Sequence, residues 1–242
     1  MIETLQNIDS QLLLFFNGYH TPFLDHFMML FTGKFIWIPM YAAILPILFK
    51  KFRPGMAALL ILGIVAAIAL ADQTCASLLR PYFHRLRPAN LENPLSAFVT
   101  VVDGYRGGAY GFPSCHAANS LALATFLCLV VRRNFFVAFI FTWAAVNCYS
   151  RMYLGVHYPG DILVGGVIGA ACGALCYYAV VYIGRRFFKT ALEPREENFS
   201  LSVLPNAISG AGDGTLNFLV SDLMIAVGIL SALFMMLAAV VL

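Results

Sequence analysis

The chain has 242 residues, of which 61% are hydrophobic and 11% charged, and its formal net charge is +3. Soluble chains average about 25% charged residues, so this composition excludes an ordinary soluble domain. The basic excess is also too small for a nucleic-acid footprint, and no nucleic-acid partner is expected.

The predicted elements run in chain order as follows. Residues 1–33 contain no Lys or Arg, so the chain start lacks the basic region of a cleaved signal peptide. Residues 8–16 are too short to cross a bilayer. With Leu12, Leu13, Phe15 and Phe16 they read as an amphipathic helix lying in the interface, within an N-terminal segment 1–21. A spanning helix takes about 20 mostly apolar residues. Such runs are predicted at 35–49, extended upstream toward Pro22 with kinks at Pro39 and Pro46, and at 56–75. Shorter runs at 117–131 and 135–149 are expected to continue into their polar flanks, and 162–183 and 223–242 complete the set. The expected fold class is an all-α integral membrane protein: a bundle of about six transmembrane helices plus the interfacial helix. Its core covers 22–184, followed by a polar cytoplasmic connection over 185–216 and a last span within 217–242.

Orientation follows from where the cations lie. Lys50, Lys51 and Arg53 join the first two spans, Arg132 and Arg133 the next two, and Arg185, Arg186, Lys189 and Arg195 follow the fifth. Placing these connections in the cytoplasm closes the alternation and puts both termini outside. Arg80, Arg85, Arg87, Arg106 and Arg151 then fall on the opposite, outer face, which suggests a task other than topology. A Gly-rich outer loop at 89–112 is expected to shape a substrate entrance. Gly165, Gly169 and Gly173 form a small-residue stripe whose spacing lets two backbones approach closely, here within one chain. Cys128, Cys148, Cys172 and Cys176 lie in apolar runs and no CxxC pair occurs, which reads as small buried hydrophobes.

Three polar clusters sit at the outer ends of these runs: Arg80-x6-Arg87-Pro88, Pro113-Ser114-Cys115-His116, and Ser150-Arg151-x5-His157-x3-Asp161. Ionisable groups are costly at membrane depth and mark function. Arg80, Arg87 and Arg151 supply the permanent, bidentate donors that a phosphate ester needs. Ser114 and the N–H groups of Cys115 and His116, just after Pro113, form a helix N-terminus suited to an anion. Asp161 is placed to fix the tautomer of His157, leaving the other ring nitrogen free to attack phosphorus, and His116 to protonate the departing oxygen. His20 and His26 read as polar tips in the headgroup zone, and His84 is undecided. Asp72 is a candidate partner for an arginine, while Asp222 favours the dipole of the last helix. No cofactor site is visible, and the carboxylates are too few and scattered for a two-metal phosphatase.

In combination these three clusters resemble the signature of the type 2 phosphatidic acid phosphatase superfamily, in the right order and on one side. The resemblance implies metal-independent hydrolysis of a lipid phosphate through a phosphohistidine on His157 aided by Asp161. His116 would then protonate the leaving group, and Arg80, Arg87, Ser114, Cys115 and Arg151 would hold the phosphoryl oxygens. Two positions depart from the pattern. Arg80 replaces Lys, and Cys115 replaces a Gly needed either for its N–H alone or for a positive φ. The implied substrate is a lipid phosphate presented at the outer face of a bacterial inner membrane, facing the periplasm. Lipid A phosphate, undecaprenyl pyrophosphate and phosphatidylglycerol phosphate are the candidates, and the string from Pro113 to Asn119 is most similar to lipid A phosphatases. Transfer of the phosphoryl group to a second lipid, or binding of anionic lipid without chemistry, are the alternatives. Membrane lipids are the only other partners implied.

Overall fold

The computed structural model describes residues 2–188 and 220–241. The polar connection expected after the fifth span lies, from 189 onward, outside these described residues. Among them every long element is a helix, as the apolar runs require when no water is present to satisfy a backbone. Four helices are long and apolar enough to cross a membrane. They are α5 (Pro54–Gln73), continued by a π-helical stretch at Thr74–Leu79 and by α6 (Arg80–Phe83), then α8 (Asn134–Tyr153), α9 (Pro159–Phe188) and α10 (Val220–Val241). A shorter apolar helix, α7 (Cys115–Val131), lies among them.

The remaining span is broken. Helix α2 (Pro22–Phe31) meets the segment Phe35–Lys51, which contains α3 (Ile38–Ala42) and α4 (Ile44–Lys51), at an angle of 70°. The sequence places the kinks at Pro39 and Pro46, but the large bend lies at Thr32–Lys34, where Gly33 closes the end of α2 on Leu30. Pro39 instead starts α3, and a lesser break at Ala43 precedes Pro46. The Trp37 indole N–H donates to the Phe31 carbonyl at 2.8 Å, so the carbonyl freed by the break is paired. Counting the broken pair as one span and adding α7 gives six apolar segments, in line with the expected bundle.

Helix α9 runs through the centre against α7 and α5. Its glycines make that contact possible. A Cβ at Gly165, Gly169 or Gly173 would come within 2.4, 2.1 and 2.5 Å of the Ser114, Ala118 and Ala122 carbonyl oxygens. The stripe is therefore a packing seam within the chain, and it clamps the N-terminus of α7 beside that of α9.

The basic connections gather at one end. Lys51 Nζ donates to the Val131 carbonyl at 3.4 Å, Arg132 reaches the Tyr177 hydroxyl at 3.0 Å, and Arg133 pairs with Asp222. Asp222 thus holds α10 to the start of α8, beyond the dipole role read from sequence. The three polar clusters lie at the other end. Helix α1 (Ile2–Phe16) crosses there, with Leu13 fully buried and Leu5, Ile8, Leu12 and Phe15 exposed, an amphipathic helix as the sequence predicts.

Candidate active site

His157 lies in the short connection between α8 and α9, and only 1% of its surface is exposed. Pro159 opens α9, so Asp161 sits in the first helical turn, one turn beyond His157. His157 Nδ1 is 3.3 Å from Asp161 Oδ2, and the same oxygen accepts the Tyr158 N–H at 3.1 Å. On its other side, His157 Nε2 is 3.0 Å from Arg87 Nη1. A guanidinium can only donate, so Nε2 is the nitrogen carrying the lone pair and Nδ1 carries the proton toward Asp161. Burial, followed by the charges of Arg87, Arg151 and Arg80, holds the His157 pKa well below its usual range. The imidazole is neutral at physiological pH, which is the state a nucleophile needs.

The arginines converge on this imidazole from separate parts of the chain. Arg87 donates through Nε to the Tyr110 carbonyl at 3.2 Å and through Nη1 to the Val156 carbonyl at 3.1 Å, which fixes its plane. Burial and the neighbouring Arg151 and Arg80 lower its pKa to about 10, so it stays charged. Arg151 is 2% exposed and donates to Thr32 Oγ1 at 2.6 Å and to the Tyr105 hydroxyl at 3.0 Å. The bend in the first span is what delivers Thr32 to it. For Tyr105 burial acts upward, but Arg151 outweighs it and the net pKa falls below the usual phenol range.

Ser114 caps α7, its hydroxyl accepting from the Ala117 N–H at 3.4 Å, while its own N–H donates to the Asp161 carbonyl at 3.0 Å. Cys115 opens the helix and is not among the residues with positive φ, so a side chain is accommodated there without backbone strain. The two departures from the family pattern touch each other. Arg80 Nη2 donates to Cys115 Sγ at 2.9 Å and to the Pro113 carbonyl at 3.1 Å, while its buried Nε has no partner. His116 follows on the same turn and faces a cavity. All eight residues singled out from sequence are thus at one end of the bundle.

Sequence reasoning missed two residues. Arg85 donates to Asp161 Oδ1 at 2.8 Å and to Asp9 Oδ2 at 2.6 Å, with its guanidinium 3.8 Å from the Tyr158 ring centre. Asp9, on α1, also accepts the Gly160 N–H at 2.7 Å, capping the start of α9. The N-terminal helix therefore closes the back of the site. The one available signal was Arg85's position on the face where the charge rule disfavours cations. Gly111, from the Gly-rich loop, covers the histidine so closely that a Cβ would lie 3.1 Å from both Arg87 Cγ and Asp161 Oδ2.

Other candidates take different places. Among the described residues Asp72 meets no arginine; it accepts from Asn119 Nδ2 at 3.0 Å. His84 is an exposed left-handed cap on α6, edge-on to Tyr110. His20 is tied to Asp25 at 2.6 Å, in a network with Tyr153, and is no free headgroup tip. Among the described residues no group of three or more His, Cys, Asp or Glu side chains is placed to hold a metal ion.

This site sets fixed cations around a neutral imidazole at the end of a bundle with apolar flanks, which is the equipment of a membrane-embedded phosphatase. The profile of the PAP2 superfamily matches residues 55–185, and the chain belongs to that family. It is 54% identical over 178 residues to the lipid A 4'-phosphatase of Bacteroides thetaiotaomicron, covering 74% of this chain and 79% of that one. It is 35% identical over 187 residues to the lipid A 4'-phosphatase of Porphyromonas gingivalis, covering 77% and 78%. Among solved structures, that of Aquifex aeolicus LpxE aligns with a TM-score of 0.53 at 28% identity, over 69% of this chain and 93% of that one. The protein is an enzyme, a lipid phosphatase.

With His157 as the reacting base, its titration sets the acid limb of activity. Because burial and the arginines disfavour its cation, kcat/KM is expected to hold on acidification well past the usual histidine range. Arg87→Gln removes a positive neighbour, so the His157 pKa rises and the acid limb moves to higher pH. A pH–rate profile of the two proteins checks this; an unmoved limb would assign it to another group.

Proposed function

We propose that this protein removes the 4'-phosphate of lipid A, at the periplasmic face of the inner membrane, through a phosphohistidine on His157. The observation that carries the chemistry is the buried, neutral imidazole with its lone pair on Nε2 beside Arg87 and its Nδ1 backed by Asp161. Nε2 attacks phosphorus while Arg80, Arg87 and Arg151 take the charge that gathers on the equatorial oxygens. The first N–H groups of α7, those of Cys115 and His116, add to this. His116 gives its proton to the departing sugar oxygen, and water then cleaves the P–N bond. The names of the two curated relatives support lipid A as the substrate. The periplasmic placement rests on the basic connections gathered at the far end.

The test is phosphate release by purified protein in detergent with a chelator present. Lipid A, undecaprenyl pyrophosphate and phosphatidylglycerol phosphate are run side by side. Release is expected to be fastest from lipid A and to leave its 1-phosphate in place, with quenching in alkaline denaturing detergent trapping an acid-labile, alkali-stable label on His157. Preferential cleavage of either other lipid would overturn the substrate. Delivery of the trapped phosphate to an added lipid rather than to water would make the protein a phosphotransferase.

A further inference from the structure

A cavity of about 490 Å³ opens beneath His116 and Cys115, enclosed by the broken first span, α5, α7 and α8. Its deeper wall is apolar, formed by Ile44, Leu45, Ile61, Val65 and Leu123. Leu45 and Val65 line the cavity yet are 45% and 59% exposed, so it opens sideways between α4 and α5 onto the apolar flank of the bundle. That is the shape of a berth for a lipid tail.

A berth for hydrocarbon alone would be apolar throughout, and this one is not. Ser120 stands one turn along α7 from His116, and Asn147 one turn along α8 from Arg151, so both lie about 6 Å below the catalytic level. They are 7% and 6% exposed and both face the cavity. Among the described residues no hydrogen bond engages the Ser120 hydroxyl or the Asn147 amide. Beside them, Asn119 spends its amide N–H on Asp72 but its buried Oδ1 has no partner, and neither has the buried Trp143 indole N–H. Donors and acceptors from two helices thus form a polar band inside an apolar cavity. Leaving such groups unpaired is costly, so a tail entering here must satisfy them or keep their water.

We infer that this cavity takes an acyl chain carrying polar atoms near its head, an ester- or amide-linked 3-hydroxyacyl chain, and that Ser120 and Asn147 read its carbonyl and hydroxyl. The inference rests on the lipid A reading and deepens it. In an acylated phosphosugar, the ester carbonyl and the 3-hydroxyl lie a few bonds from the phosphate-bearing oxygen, which matches the single helical turn between His116 and Ser120. A polyprenyl diphosphate is hydrocarbon from its first carbon and leaves the band unpaired. A site built to hydrogen-bond its ligand rejects the analogue lacking that group more strongly than a merely greasy site can.

The test uses two synthetic phosphorylated glucosamine disaccharides that differ only in whether their acyl chains bear the 3-hydroxyl. Wild type is expected to favour the hydroxylated lipid at least about tenfold in kcat/KM, carried mainly by KM. In the double variant Ser120→Ala, Asn147→Leu this ratio is expected to fall toward one. Equal kcat/KM for the two lipids in the wild type would overturn the inference while leaving the lipid A reading intact. So would a ratio that survives in the folded double variant. If the variant does not fold, the wild-type ratio alone decides. Turnover of undecaprenyl pyrophosphate with neither acylated lipid cleaved would overturn the substrate reading itself, and this inference with it.

Discussion

His157→Ala is expected to lower kcat by about four orders of magnitude or more, with substrate binding retained. In the proposed mechanism the arginines and the start of α7 hold the phosphate without His157, so a lipid phosphate should continue to protect the variant against thermal unfolding. The loss falls on the chemical step because nothing nearby can replace Nε2. His116 sits on a different helix, and among the described residues the nitrogen in contact with Nε2 belongs to Arg87, which has no lone pair to offer. A variant with normal elution, retained lipid binding and no acid-labile label is the expected result. Residual activity within about tenfold of wild type, converted as RT ln of the rate ratio, would remove His157 from the reaction coordinate.

The second large effect concerns a residue to which the proposed mechanism gives no contact with substrate. Arg85→Met is expected to lower kcat about 10²- to 10³-fold with KM little changed, and to cost about 1–3 kcal/mol of stability. Arg85 is a positioning residue. Its two forks fix Asp161 Oδ1 and Asp9 Oδ2, and Asp161 in turn orients the Nδ1–H of His157. Without the guanidinium a fully buried carboxylate keeps only the Tyr158 N–H and the long His157 contact, both on Oδ2, and is freer to turn away from the imidazole. Arg85→Lys should recover part of kcat through one contact, since an ammonium cannot bridge both carboxylates with planar geometry. The kcat–KM split and this partial rescue separate positioning from a bulk loss of fold. A fall confined to KM would place Arg85 in substrate binding instead.

Much of this molecule is written locally. Runs of apolar residues specify helices wherever they occur, because a backbone in lipid has no other way to pair its polar groups. The six segments and the amphipathic first helix therefore follow from composition along the chain. The three polar clusters stand out for the related reason that Arg, His and Asp are expensive at those depths. The glycine stripe on α9 is legible too, since its spacing on a helix forces all three residues onto one side.

What joins distant segments was not legible. Arg85 lies 76 residues from each of the carboxylates it bridges, and no periodicity links such positions. The same holds for Asp9, read as part of an interfacial helix and found capping α9, and for Arg80 and Cys115, two separate departures that prove to be one contact. The first span bends at Thr32–Lys34, where Trp37 pairs the Phe31 carbonyl that the break frees and Arg151 holds the Thr32 hydroxyl, whereas proline alone marks only where a helix can yield. The sequence by itself thus determined the helices and singled out the polar clusters at their ends, since burial in lipid and the cost of charge act residue by residue. Only the tertiary structure decided which carboxylate serves which cation, where the bundle opens and what polar atoms line the opening. Those depend on which side chains the packed helices bring within hydrogen-bond distance.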